Sequence, residues 1–445
     1  MARKLAILSS VPMILSLLGA VPATAEPTEA SDAIRARDDR IANLESTLAT
    51  VVDELARLRE QVAVPEEAEL VSSYGLGPAA SKIYGIQRGL SIGGYGEGNY
   101  RTFVDDKDSG DLDRADFLRL VLYFGYKFTE KIVFNSEIEF EHGTSSNMNN
   151  GGGAGSISVE FATLDFLLHE KVNARAGLLL VPMGFINEIH EPPFFYGVQR
   201  PNVEQTILPS TWRENGAGIF GNLTEELEYR VYAVTGFNAS QFSDAGIRGG
   251  RQNGNRALAE DWGGVVRLDW RPDWLEGFLL GGSFYLGEAD QDFKVGGVDV
   301  AETSLWIGEV HLQYQNGPFH ARALAAYSDV SNAGDLNVSL GRAANRPIAG
   351  AMFGAYAEVA YDVWSLFFEG FEKKLAPFFR VEYVDTQREI PDGFVANRNN
   401  TYWLYTPGLQ FHPHPNVVLK LEYRNFDPHE GERPDEVAVG MGFAF

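Results

Sequence analysis

Between residues 88 and 445, apolar and polar side chains alternate with a period of two. In Lys131 to Glu141, Ile132, Phe134, Ile138 and Phe140 share one face, and Val133, Asn135, Glu137, Glu139 and Glu141 share the other. In Asp116 to Phe128, Leu118, Leu120, Leu122, Phe124, Tyr126 and Phe128 lie opposite Arg119. In Val417 to Arg424, Val417, Leu419, Leu421 and Tyr423 lie opposite Lys420, Glu422 and Arg424. Such a period with one apolar face predicts half-buried strands. Sixteen segments of this kind run from 89–103 to 436–445. The polar face often carries full charges. A soluble sandwich would bury its apolar faces in a core, whereas a membrane barrel turns them to lipid and its polar faces to a wet lumen. The pattern predicts an all-β fold, a 16-stranded antiparallel transmembrane β-barrel. Two places fit it poorly: Asp165 breaks the fourth segment, and 363–374 is long for a tight turn.

The connections alternate between short turns such as Thr129-Glu130 and Gln315-Asn316-Gly317 and long spans such as 143–155 and 238–261. Short turns at one end and long loops at the other are expected of such barrels. The longest is Pro182 to Asn215. Five prolines keep it from being a central strand or a long helix. Its Phe, Tyr, Trp and charge distinguish it from a disordered linker. By strand count it follows the fifth strand, as the third long loop.

The first part of the chain has another pattern. Arg3 and Lys4, the apolar run Leu5 to Ala20 and the small residues Ala23-Thr24-Ala25 predict an export signal over 1–25. Ile41, Leu44, Leu48, Val51, Leu55, Leu58 and Val62 recur at alternating spacings of three and four. That is the seam of a coiled coil, placed at 33–63; an amphipathic helix lying on its own domain is the alternative. Residues 64–87 read as a linker, and the barrel domain occupies 88–445.

Composition narrows the chemistry. The chain of 445 residues has no cysteine, which excludes disulfides and thiolate sites. Its formal charge of −24 argues against nucleic acid as a partner. His190-Glu191 has no H-E-x-x-H or comparable spacing, so no metal is assigned from sequence. No nucleophile-and-base arrangement or phosphate-cradling glycine loop stands out. No enzyme and no cofactor are expected.

The last segment places Val437, Val439, Met441, Phe443 and Phe445 on one face. With its terminal aromatic it resembles the closing strand of Gram-negative outer-membrane barrels, which implies a barrel assembly machinery and outer-membrane lipid as partners. Gly93-Gly94-Tyr95-Gly96-Glu97, Gly177 to Gly184 and Leu419 to Arg424 resemble the outer-membrane porins, and more narrowly the phosphate-selective porin O/P family and related porins with an N-terminal coiled coil. The resemblance implies a homotrimer, a periplasmic coil, and a third loop folded inward to narrow a path for small polar solutes or ions. The constriction candidates are Glu188, His190, Glu191, Arg200, Glu204 and Arg213, which either face the path or pin the loop. The wall candidates are Arg119, Glu137, Glu139, Arg175, Arg267, Arg322, Arg380 and Glu422. A phosphate channel of that family needs a ladder of lumen Arg and Lys. Here residues 88–445 hold 29 Lys and Arg against 49 Asp and Glu, so general diffusion leads and anion selectivity is the alternative. A structural protein tethered through its coil is a third reading.

Overall fold

The computed structural model describes residues 27–63, 70–104, 112–146, 154–368 and 373–445. The expected export signal at 1–25 and the start of the expected linker lie outside these residues.

Among the described residues sixteen antiparallel strands close on themselves. They are β1 (Gly89–Val104), β2 (Arg114–Thr129), β3 (Ile132–Glu141), β4 (Ile157–His169), β5 (Val172–Leu180), β6 (Arg213–Asn222), β7 (Leu227–Thr235) and β8 (Trp262–Trp270). The second half is β9 (Phe278–Glu288), β10 (Ser304–Asn316), β11 (Phe319–Val330), β12 (Ala351–Tyr361), β13 (Lys374–Glu389), β14 (Thr401–His414), β15 (Val417–Pro428) and β16 (Asp435–Ala444). Each strand pairs with its neighbour in sequence, and β16 pairs with β1 from Asp435↔Val104 to Ala444↔Tyr95. Closure leaves the sheet without an edge.

The two faces carry opposite chemistry. Outward side chains include Phe124, Tyr126, Phe166, Leu268, Phe284, Leu421 and Met441, all exposed. Across the ladder they meet in apolar pairs such as Ile92↔Phe124 and Leu421↔Val439. On the inner face the register sets opposite charges against each other. Glu97 faces Arg119, Asp165 faces Arg175, Glu358 faces both Arg322 and Arg380, and Arg424 faces Glu436. A slip of one residue would turn every one of these charges outward. Asp165 therefore does not break β4: it points inward between outward Leu164 and Phe166. The long connection 363–374 contains a short helix, Trp364–Phe367.

At the N-terminal side α1 spans Pro27–Gln61. Its seam residues Ile41, Leu44, Leu48 and Val51 are exposed in the single chain. After it, Val62 and Ala63 pair in parallel with Leu90 and Ser91 of β1.

Residues 70–87 correct the sequence expectation of a linker. They pack against the inner wall near the short-turn end, with Leu76, Ala79, Ala80 and Ile83 buried. Tyr84 in α2 (Lys82–Gly85) donates its hydroxyl to Asp165 at 2.6 Å, and Asn135 of β3 donates to the Ala80 carbonyl at 2.9 Å. Small residues and glycine let this backbone lie flat on the wall. A polar linker pattern and a backbone laid on a polar lumen read alike in sequence.

Candidate pore-lining site

The third long connection, 181–212, runs through the barrel interior. It leaves β5 at Val181, whose N–H donates to the Trp212 carbonyl, so the loop closes at its base. Asn187 fastens that base by donating to the carbonyls of Val181 and Trp212 and accepting from the Trp212 N–H at 2.6 Å. From there the loop meets the wall at β3 and β4 through His190. Its Nε2 lies 3.2 Å from both Glu137 and Glu160. On the far side its backbone meets β13 and β15. The N–H groups of Val198 and Gln199 donate to Glu422 at 2.8 and 3.0 Å, and that of Val203 to Glu382 at 3.1 Å. Lys420 donates to the Phe195 and Gly197 carbonyls. The loop thus spans the interior from one wall to the other.

Sequence explains its shape locally. Pro192 and Pro193 open a single 3-10 turn, Pro192–Phe194, and Pro201 precedes α3 (Asn202–Thr206). Proline at a helix start costs no hydrogen bond. The wall makes room with glycine. A Cβ at Gly442 would sit 2.3 Å from Pro192, and one at Gly440 would sit 3.0 Å from Val198.

The predicted loop residues divide by role. Glu188 pairs with Arg230 at 3.0 Å and approaches Arg267 at 3.8 Å. Glu191 accepts from the N–H groups of Ala79 and Ala80. Burial pushes its carboxyl up to about 7, against the pull of those two donors. Glu204 accepts from the Ile186 N–H and the Tyr356 hydroxyl, and burial raises it too. Glu188, Glu191 and Glu204 hold the loop in place. Arg213, expected on the loop, is instead the first residue of β6 and pairs with Glu160 of β4 at 2.9 Å, a contact between wall strands. Arg200 differs: it is partly exposed, and its Nη2 is buried without a hydrogen-bond partner among the described residues.

The predicted wall residues all point inward and are buried. Arg119 pairs with Glu97 at 2.8 Å and Glu139 at 2.9 Å, and Arg175 with Asp165 at 2.7 Å. Arg267 pairs with Asp269 at 2.8 Å, and Arg322 with Glu358 at 3.3 Å. Arg380, fully buried, bridges Glu358 and Glu382 at 3.0 and 2.9 Å. Glu422 carries the two loop amides already described. The wall therefore carries its charge mostly in matched pairs.

Three groups escaped the sequence reading. Glu160 reaches the interior through a β-bulge: Glu137 faces Phe161 and Ile138 faces Val159, so Glu160 has no partner residue. The only sequence signal is two inward residues in a row, Glu160 and Phe161. Arg248 and Arg251 belong to the fourth long loop and have no pattern to mark them. Arg251 donates to the carbonyls of Pro209 and Thr211 at 3.0 and 2.6 Å, and Arg248 to those of Gln205 and Ser210. Burial, then the charges of Arg251, Arg200 and Arg119, pull the Arg248 guanidinium below its ordinary value. These cations are thus held by carbonyls, close to one another. Near the short-turn end a cavity of about 410 Å³ lies beside Tyr74, Glu188, Arg230, Arg267 and Asp269.

A closed barrel of sixteen strands with an apolar outer face, a paired-charge interior and an inward third loop has the fold of the outer-membrane porins. Among solved structures the chain is similar to OmpF of Salmonella typhi, with a TM-score of 0.53 and 14% identity over 80% of this chain and 98% of that one. It is similar also to the outer membrane channel DcaP of Acinetobacter baumannii (0.51, 13%, over 81% and 98%). The anion-selective porin from Comamonas acidovorans is a third (0.50, 12%, over 81% and 100%). At these identities the likeness is one of fold. The chain belongs to the same family as an uncharacterized protein of Aquifex aeolicus (strain VF5), 34% identical over 398 residues and 87% of each chain. No family model matches it.

Proposed function

We propose that the chain is a passive diffusion channel of the Gram-negative outer membrane for small hydrophilic solutes, narrowed by its third loop. The observation that carries this reading is the loop that crosses the interior from Glu137 and Glu160 to Glu382 and Glu422 inside a closed barrel. Solutes pass beside that loop, where a narrow low-dielectric mouth focuses the field of the charges around it. Residues 1–25 direct export and are removed, and assembly machinery inserts the barrel among outer-membrane lipids. The seam of α1 stays in the periplasm and joins three copies as a coiled coil. Three heptads are marginal alone, so the barrels bring the helices together.

A second reading is a preference for anions, phosphate or an organic acid among them. It is favoured by Arg200, Arg248 and Arg251, which lie near one another and make no ion pair among the described residues, Glu141, Glu160 and Glu214 acting on them only from farther off, while the wall charges are paired. The test is purified protein in a planar lipid bilayer. Stepwise conductance, in threes for a trimer, is expected; no conductance across refolded preparations would sink the channel. Reversal potentials in a salt gradient decide the second reading, and cation preference rules it out.

A further inference from the structure

His190, Glu137 and Glu160 meet where the third loop touches β3 and β4. All three are buried, at 1%, 0% and 1% exposure. The His190 ring is oriented by its other nitrogen. Nδ1 lies 3.2 Å from the Asn187 carbonyl, which only accepts, so Nδ1 carries a hydrogen. Nε2 then faces nothing but carboxylate: Glu137 Oε1 and Glu160 Oε2, each at 3.2 Å. A bare lone pair there would be repelled by both. Something positive must lie between them: a proton, on Nε2 or on one of the carboxyls, or a metal ion.

Two observations favour the metal. A single N–H shared between two carboxylates serves each only in part, and Glu137 Oε2 and Glu160 Oε2 are buried without a hydrogen-bond partner among the described residues. Glu160 also reaches the cluster only through a bulge, the kind of irregularity that re-aims a side chain at a site. His311 offers the contrast. Its two nitrogens face separate acids, Nε2 to Asp269 and Nδ1 to Glu309, each at 2.9 Å, and the Arg267 guanidinium, 3.1 Å from Nε2, already pairs with Asp269, so this cluster has its cation.

We propose that His190 Nε2, Glu137 and Glu160 bind a divalent first-row transition ion that staples the third loop to the barrel wall. An ion held at about 2.0–2.2 Å in tetrahedral geometry spaces its ligand atoms by roughly 3.3–3.6 Å, close to the 3.2 Å contacts here. The groups around these three side chains suit such a site. The Asn187 carbonyl fixes the imidazole, Arg213 holds Glu160 Oε1 at 2.9 Å, and the Tyr95 hydroxyl lies 3.3 Å from Glu137 Oε1. One imidazole and two carboxylates suit zinc, manganese or iron(II) rather than a soft thiophilic ion. The ion displaces any proton on Nε2 into solvent, and burial makes its exchange slow. The staple rests on residues of this cluster alone, so metal content tests it without any channel assay.

The experiment is to refold the full chain in detergent with zinc, dialyse it extensively and count bound metal by mass spectrometry. About one zinc ion per chain is expected for the wild type. His190→Ala and Glu160→Gln should each retain less than about a tenth of it. His142→Ala, which alters an exposed histidine beside Asp116, should retain it fully. Equal retention by His190→Ala overturns the proposal. If the variants do not fold, the wild type decides alone: retention below about a tenth of an ion per chain overturns it, and cobalt-substituted protein with a mixed nitrogen and oxygen shell upholds it.

Discussion

The Glu191 carboxylate accepts the backbone N–H groups of Ala79 and Ala80, at 3.0 to 3.2 Å, and so ties the segment before the barrel to the third loop inside it. Two adjacent donors on one piece share a single acceptor on the other, more than a hundred residues away. In Glu191→Ala both buried donors lose their partner, at a cost of about 1–3 kcal/mol for each group left unpaired. Limited proteolysis should then cut near residues 75–80, where the wild type resists. An unchanged cleavage pattern would remove Glu191 as the tie.

Truncation separates the helix from the segment that lines the wall. A chain lacking residues 27–59 should keep its single-channel conductance and lose thermal stability of its oligomer, because only the exposed seam of α1 is gone. A chain lacking residues 27–87 should conduct more, since Lys127, Asn135, Asp165 and Arg175 lose the backbone and tyrosine that cover them. Equal conductance in the two truncations would show that residues 70–87 do not obstruct the path. Loss of conductance in the first would favour a role for α1 beyond the proposed joining of copies.

The barrel was legible because its physics repeats. Every strand must satisfy lipid outside and charge inside, so period two recurs sixteen times, and the strand bounds fall within a few residues of the alternating segments. The inward loop was locatable for the opposite reason, as a long ordered stretch with no period. What sequence could not supply was pairing. Whether Arg213 faces a path or Glu160 depends on a bulge in β4, and whether Glu191 is solvated depends on a backbone from residues 79–80. Arg248 and Arg251 lie in a loop whose fold is set by carbonyls, which leave no trace in side-chain order.

Gly442 tests the seat of the loop without altering charge. Its missing Cβ would stand 2.3 Å from Pro192, so Gly442→Ala forces β16 and the 3-10 turn apart. Overpacking of this kind costs about 1–3 kcal/mol. Conductance and current noise should rise while ion preference stays unchanged. A shift in selectivity would mean that the loop moves its charges as well as its backbone.

Arg380 is the wall cation with the most to lose. It is fully buried and bridges Glu358 and Glu382, while also donating to the Tyr196 and Gln199 carbonyls of the loop. Arg380→Ala leaves buried carboxylates uncompensated, which costs about 3–5 kcal/mol. The denaturant midpoint of the refolded protein should fall sharply. Arg380→Lys should recover part of it, since a point charge replaces a fork. An unchanged midpoint for Arg380→Ala would mean that the inner pairs add little to stability.

Arg200 lies on the third loop and Arg213 opens β6, and the two should behave differently. Arg213 is matched by Glu160 at 2.9 Å, so Arg213→Gln mainly unpins a carboxylate and should lower stability. Arg200 has no ion pair among the described residues, its Nη2 has no hydrogen-bond partner there, and its charge adds to that of Arg248. Unit charges 4 Å apart in water interact by about 1 kcal/mol, a factor of about five in relative permeability at that approach, and less at longer range. Arg200→Gln should therefore move the reversal potential in a salt gradient toward cation preference by up to that factor, with stability nearly intact. If Arg200→Gln changes stability and leaves the reversal potential alone, Arg200 is another pin, and the cations that set ion preference are Arg248 and Arg251.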